Sequence, residues 1–299
     1  EPDQHARWLS SRRRTVVRLV IPSVEDSNIS AFLHGCSVTL KERGYNLMVA
    51  LSDGNKHAEL DLLSALLQSH VSGLIFVTPQ ADNKSRALVT KGGVPLLYAL
   101  NPDRTGRGPS VTFDEARAAE ALLKRALRAT FASTAKGGTP RVAILAGPEA
   151  ESSVERRVAG LTSGYRATAG GASEPELVRC DGSIEEGYVA ARRLLSRSVP
   201  SLLAATSDYL AIAATRAAFE LSLSVPRDLS ILGFGENVYS HTCSPSITTV
   251  RLDGRLLGER CGDTIVALME DEKVEKVQVL GFELVPGESC PMDLANEEE

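Results

Sequence analysis

Hydrophobic and polar positions along this chain alternate between two rhythms. Short runs rich in Val, Ile and Leu are followed by longer stretches with apolar residues at helical spacing, a pattern that predicts βαβ units and a parallel sheet. The first unit is the clearest. "VVRLVI" (Val16 to Ile21) predicts a strand ended by Pro22, and "ISAFLHGCSVTLKER" places Ile29, Phe32, Leu33, Cys36 and Leu40 on one helical face. Gly44 stands where a left-handed residue would close that helix. "NLMVAL" (Asn46 to Leu51), "GLIFV" (Gly73 to Val77) and "PLLYA" (Pro95 to Ala99) continue as strands, with a helix over "HAELDLLSALLQSH" facing inward through Leu60, Leu63 and Leu67. These four strands are expected to form one sheet.

After the Gly/Pro/Arg-rich loop "NPDRTGRGPS", the rhythm restarts at Asp114. Helices are predicted over 114–131, 155–168, 184–196 and 208–221, and strands over 141–145, 176–180, 201–205 and 229–233. That makes a second sheet of similar size. "SITTV" (Ser246 to Val250), a helix over 253–270 and strands within 277–285 do not continue it simply. An economical arrangement returns the chain to the first lobe and crosses once more, giving a hinge of three connections. The expected fold is therefore α/β, with two doubly wound parallel-sheet lobes. Residues 15–113 plus 246–278 form lobe one, 114–245 plus 279–299 form lobe two, and 1–14 form an arm.

Length and composition agree with this reading. At 299 residues the chain is long for one domain, and 43% hydrophobic with 24% charged residues is ordinary for a globular protein. Charge adds an asymmetry. Residues 1–18 hold five arginines against two acidic residues, whereas the remainder holds 28 basic and 36 acidic residues. Affinity for phosphates rests on Lys and Arg, so the acidic body is a poor partner for nucleic acid. Five scattered cysteines without a C-x-x-C pair suggest free thiols in a reducing cytoplasm. No apolar run is long enough to span a bilayer, and a membrane association is not expected.

Signatures of catalysis are missing: the sequence has no G-x-S-x-G, no G-x-x-x-x-G-K-[ST] and no H-E-x-x-H. "GFGENV" has Val238 where a dinucleotide fingerprint needs its third glycine, and no helix is expected after it. The five histidines form no i, i+4 pair. Catalytic residues, metal ligands and cofactors are all expected to be none.

What remains is a set of polar residues at the carboxyl ends of the predicted strands, where open α/β sheets bind ligands. They are Ser27 and Asn28, Ser52 and Asp53, and Asn101 in lobe one. In lobe two they are Glu151 with Arg157, Ser207 with Asp208, and Gly235 with Glu236. Carboxylates, amides and an arginine suit a small polar ligand. Asp208, just before "YLAIAATRAAFE", also reads as a helix N-cap.

The segments "RTVVRLVIP", "ERGYNLMVALSD", "LLQSHVSGLIFV", "ERRVAGLTSGY", "ATSDYLAIAATRAAFELSLSVPRDLSILGFGEN" and "SPSITTVRLDGRLLGERCGDTIVALME" carry a resemblance. In order and spacing they are similar to the effector-binding core of the LacI/GalR family of bacterial transcription regulators, built like periplasmic sugar-binding proteins. The resemblance implies a homodimer sensing a sugar-like small molecule and reaching operator DNA through a head absent from this chain. "HARWLSSRRRT" is similar to the end of the family's hinge helix, which would make Leu9 a minor-groove wedge. The family's ligand site falls on Asn28, Ile29, Asn101, Arg157, Ser207, Asp208 and Gly235. Three segments depart from it. Gly235 stands where the family commonly has an effector-contacting aspartate, with Glu236 one residue on. Asn28 and Ile29 stand where the first loop often has aromatic residues. The "R-x-S" near the end is "GES" here (Gly287 to Ser289). A solute-binding transporter component and a doubly wound enzyme are the competing readings.

Overall fold

The computed structural model describes residues 16–22, 24, 27–52, 62, 64–65, 71–77, 93–101, 108–133, 140–149, 152–169 and 174–292. In chain order its elements begin with β1 (Val16–Ile21), α1 (Ser27–Glu42), β2 (Asn46–Leu51), β3 (Gly73–Phe76), β4 (Leu96–Ala99), β5 (Ser110–Phe113) and α2 (Glu115–Ser133). There follow β6 (Val142–Ala146), α3 (Ser152–Ala169), β7 (Glu176–Arg179), α4 (Ile184–Arg197), β8 (Leu202–Ala205), α5 (Asp208–Glu220) and β9 (Ser230–Leu232). The last elements are α6 (Val238–Thr242), β10 (Thr249–Arg251), α7 (Gly254–Met269), β11 (Val277–Leu280) and β12 (Glu283–Val285). The chain divides into two compact units, Glu1–Thr112 with Asp253–Leu280, and Phe113–Leu252 with Gly281–Glu299. It therefore passes between them three times.

The first unit holds a six-stranded sheet in the order β11-β5-β4-β3-β1-β2, two strands more than the pattern predicts. β5 escapes notice because it directly follows the Gly/Pro/Arg-rich loop, and β11, although expected as a strand within 277–285, is not assigned to this sheet by the pattern. β1 to β5 pair in parallel. Val17, Leu19, Val20 and Ile21 of β1 are all buried, as in a strand covered on both faces. β2 lies at the edge, and Met48, Val49 and Leu51 are exposed on it. Ile29, Phe32, Cys36 and Leu40 of α1 turn inward as expected, while Leu33 is half-buried. Gly44, at φ +80°, ends the helix as predicted. Of the next expected helix, Leu62, Ser64 and Ala65 are helical, and Leu60, Leu63 and Leu67 lie outside the described residues.

The second unit holds a four-stranded parallel sheet in the order β7-β6-β8-β9. Leu145, Leu203 and Ile231 from its strands pack with Leu194 of α4 and with Leu210, Ala211 and Ala214 of α5. Each large side chain so buried contributes about 2 kcal/mol of transfer free energy. The small alanine face of α5 lets that helix lie close to the sheet.

Ser246–Leu252, expected in lobe one, groups with the second unit instead. The cause is pairing: β10 and β12 form an antiparallel ribbon, while Leu232 bridges Thr248 and Gly235 bridges Arg251. Similarly, "GFGENV" is followed by a helix after all, the short α6, capped by Asn237. Its five residues are too few to reveal a helical period in sequence.

Candidate functional site

The carboxyl ends of β6, β8 and β9 carry the densest polar constellation of the second unit, and α2 and α3 supply its charges. Asp114 begins α2 by accepting the Arg117 N–H at 3.0 Å, and this fixes Glu115 in the first turn. A Cβ at Gly160 would lie 2.1 Å from the Ala116 carbonyl oxygen, so only glycine permits α3 to approach α2 this closely. That approach brings Arg156 and Arg157, one turn earlier on α3, against Glu115.

The Glu115 side chain is 4% exposed and takes both arginines. Its Oε1 accepts from Arg157 Nε at 2.9 Å and Nη2 at 2.6 Å, and its Oε2 accepts from Arg156 Nε at 2.9 Å and from Arg156 Nη2. Burial alone would raise the Glu115 pKa. The charges and hydrogen bonds of Arg157 and then Arg156 outweigh it and hold the carboxyl below its ordinary range.

Arg157 is fixed from two further directions. Its Nη1 donates to the carbonyl oxygen of Thr206, just beyond β8, at 2.9 Å, and its guanidinium carbon lies 4.5 Å from the centre of the Phe234 ring beyond β9. Three of its five N–H bonds are thereby used, and two have no partner among the described residues. A guanidinium held in this way can offer its remaining donors to ligand oxygens without first losing rotamer freedom.

Ser207 caps α5, its Oγ accepting the Leu210 N–H at 3.3 Å. The cap is thus Ser207 and not Asp208, because the capping residue must keep extended backbone and Asp208 is already helical. Asp208 turns inward at 2% exposure. Its oxygens accept from Thr249 Oγ1 at 2.6 Å, from the Asn237 N–H at 3.0 Å and from Ser240 Oγ. It thereby joins α5 to α6 and β10. Burial pushes its pKa up, against the opposing pull of Ser240 and Thr249.

Gly235 has φ +121° and donates its N–H to Val250 O at 2.9 Å. Glu236 follows at φ +49°, its side chain 11% exposed. The carboxylate accepts from Nε and Nη2 of Arg251, and His241 Nε2 lies 2.7 Å from Oε1. Burial would raise the Glu236 pKa, but the bonds from Arg251 and His241 prevail and lower it. This carboxylate is therefore already engaged by the protein.

The sequence-predicted residues of the first unit are less assembled. Asn28 lies in the first turn of α1. Ile29 is 6% exposed and packs in the core. Asn101 is half-buried just after β4, its N–H donating to Ala99 O at 2.7 Å, and Ser52 is buried against Ile21. Asp53, Glu151 and Leu9 lie outside the described residues. Sequence reasoning missed Glu115, Arg156 and Arg251. The first reads as an ordinary acidic residue opening a helix, and the other two as solvated arginines, so only the packing of α3 on α2 and of β10 on β9 reveals them.

A family model for a periplasmic binding protein-like domain matches residues 132–290. Catabolite control protein A of Priestia megaterium is 26% identical over 251 residues, covering 83% of this chain and 73% of that protein. The lac repressor dimer bound to operator and the anti-inducer ONPF superposes with a TM-score of 0.84 at 24% identity, over 97% of this chain and 98% of that one. The transcriptional regulator CelR–cellobiose complex gives 0.81 at 23% identity, over 93% and 85%. The fold is that of these regulator cores, and with the family model spanning more than half its length, the chain belongs to the periplasmic binding protein-like family, with LacI- and CcpA-type transcription regulators as its relatives.

Proposed function

We propose that this chain is the ligand-sensing, dimerising core of a DNA-binding transcription regulator, and that it binds a small sugar-like molecule at the carboxyl ends of its parallel strands. The observation that carries this reading is Arg157, held by Glu115, the Thr206 carbonyl and Phe234 with two N–H donors unspent. The half-buried Ser207 hydroxyl follows Thr206 in sequence and can still donate. Gly235 contributes from its own strand end. The regulator relatives and the cellobiose held by CelR support a sugar-like effector. They favour a regulator over a transporter component or an enzyme.

Effector binding acts by favouring one arrangement of the protein over another. DNA is contacted outside the acidic core, through an attached head. No helix among the described residues is long and apolar enough to cross a membrane. The five free thiols suit the cytoplasm.

A second copy of the chain is the proposed partner for two apolar surfaces. One is β2, with exposed Met48, Val49 and Leu51, an edge strand of the kind that native proteins usually cover. The other lies on α5 around Phe219, 72% exposed, with the Arg216 guanidinium 5.7 Å from its ring.

The test is a thermal-shift screen of neutral sugars, sugar acids and sugar phosphates. A ligand at about 100 times its Kd adds about 2.7 kcal/mol to the native state. The expected result is a shift that Arg157→Ala abolishes. A binding ligand whose shift survives that substitution unchanged would contradict the assignment.

A further inference from the structure

The loop leaving β9 stores backbone strain. Glu236 occupies the left-handed region at φ +49°, immediately after Gly235 at φ +121°. A glutamate there is strained relative to an ordinary conformation, and persists only where its surroundings hold it. Arg251 supplies that hold from Nε and Nη2, His241 adds a contact at 2.7 Å, and the Gly235 N–H is tied to Val250 O.

Arg251 is not an arbitrary partner. It ends β10, and its Nη1 donates to Glu283 Oε2 at 2.6 Å. Glu283 opens β12 and faces Arg251 directly in the ribbon register. The chain leaves the second unit after Leu252 and re-enters it at Gly281, so Arg251 and Glu283 each stand next to a crossover. Their own pair is exposed, 43% and 63%, and such a pair contributes little alone. Glu236 is the shielded member, and it engages the other edge of the same guanidinium.

We propose that Glu236 is a positioning residue that ties the strand-end loop of the second unit to both crossover strands, so that a ligand touching this loop alters the hold on Arg251. The ligand half of this inference rests on the sensing function above; the tie itself does not. Three connections join the units, and the tie governs two of them. It gives the carboxylate one residue beyond the family's aspartate a task within the protein.

Hydrogen exchange on the whole chain tests it, reading the amides of residues 249–253 and 281–285 against those of β6 and β8. Glu236→Gln and Arg251→Met are each expected to speed exchange in both crossover segments by about fivefold or more while β6 and β8 stay unchanged, the mark of a local opening. The double variant is expected to be no faster than the faster single one. Glu236→Gly relieves the left-handed strain yet removes the tie, so it should also open both segments. Protection in Glu236→Gly equal to wild type would reduce Glu236 to a turn residue and overturn the inference. So would acceleration spread evenly over β6 and β8.

In a second arm cellobiose, galactose and gluconate are added. Any that binds is expected to change exchange in both segments of wild type and not of Glu236→Gly. An unchanged response in that variant overturns the coupling. Failure of all three to bind counts against sensing of these sugars alone, because the first arm decides the tie without any ligand.

Discussion

Glu115 is the residue on which the charges of the second unit turn. Replacing it with alanine leaves two arginines facing each other without their common carboxylate, and removing one partner of a buried ion pair costs roughly 3 kcal/mol. Urea denaturation of Glu115→Ala should show that loss in the midpoint with an unchanged slope. Acid adds a second check. Because the folded-state pKa of Glu115 is depressed, its stabilisation is complete above the unfolded carboxylate value and is lost as pH falls through the folded value. Asp208 runs the opposite way: its raised pKa means that protonation favours the native state, so its contribution fades as pH rises through the folded value. Urea midpoints measured from pH 7 down to pH 3 should therefore fall less steeply in Glu115→Gln than in wild type. For Asp208→Ala, which strands the Thr249 hydroxyl in the interior and takes one of their partners from the Asn237 N–H and the Ser240 hydroxyl, the expected cost at pH 7 is about 2 kcal/mol.

Among elements, the contact of α2 with α3 decides whether the arginines reach Glu115 at all. A methyl group at Gly160 would press on the Ala116 carbonyl, and overpacking of this kind costs about 1–3 kcal/mol. Gly160→Ala should lower the melting temperature and weaken effector binding together, since the shift moves Arg157 away from the Thr206 carbonyl and Phe234. Ser207→Ala removes the cap of α5 for about 1 kcal/mol and leaves the Arg157 bonds intact. Calorimetry on both variants separates the two elements. Most helices and strands were legible because their apolar periods extend over enough residues, as in α1 and α5. The exceptions, β5 and α6, are short: β5 is made an element by pairing with β4, and α6 by the capping box of Asn237.

On the scale of the molecule, the exposed apolar residues make self-association testable. Phe219→Asp places a charge on the outer face of α5, and Met48→Glu does the same on the β2 edge. Sedimentation is expected to show a dimer for the wild-type chain, and an increased monomer fraction in each variant with the melting temperature nearly unchanged. A dimer equally stable in both variants would place the interface elsewhere.

By itself the sequence determined the α/β rhythm, the restart at Asp114, the family and Arg157 as the arginine to watch. These are local in character: periodicity, turn residues and motif order are written into neighbouring positions. Tertiary structure alone decided what each charge faces. Asp208 reads as a cap and is an interior junction, Ile29 is buried in the core, and Glu236 is bound to Arg251. Glu115 and Arg157 stand 42 positions apart, and Glu236 and Arg251 stand 15 apart. Partners so separated carry no shared local pattern, and they meet only because close helix packing and strand pairing bring them within hydrogen-bonding distance.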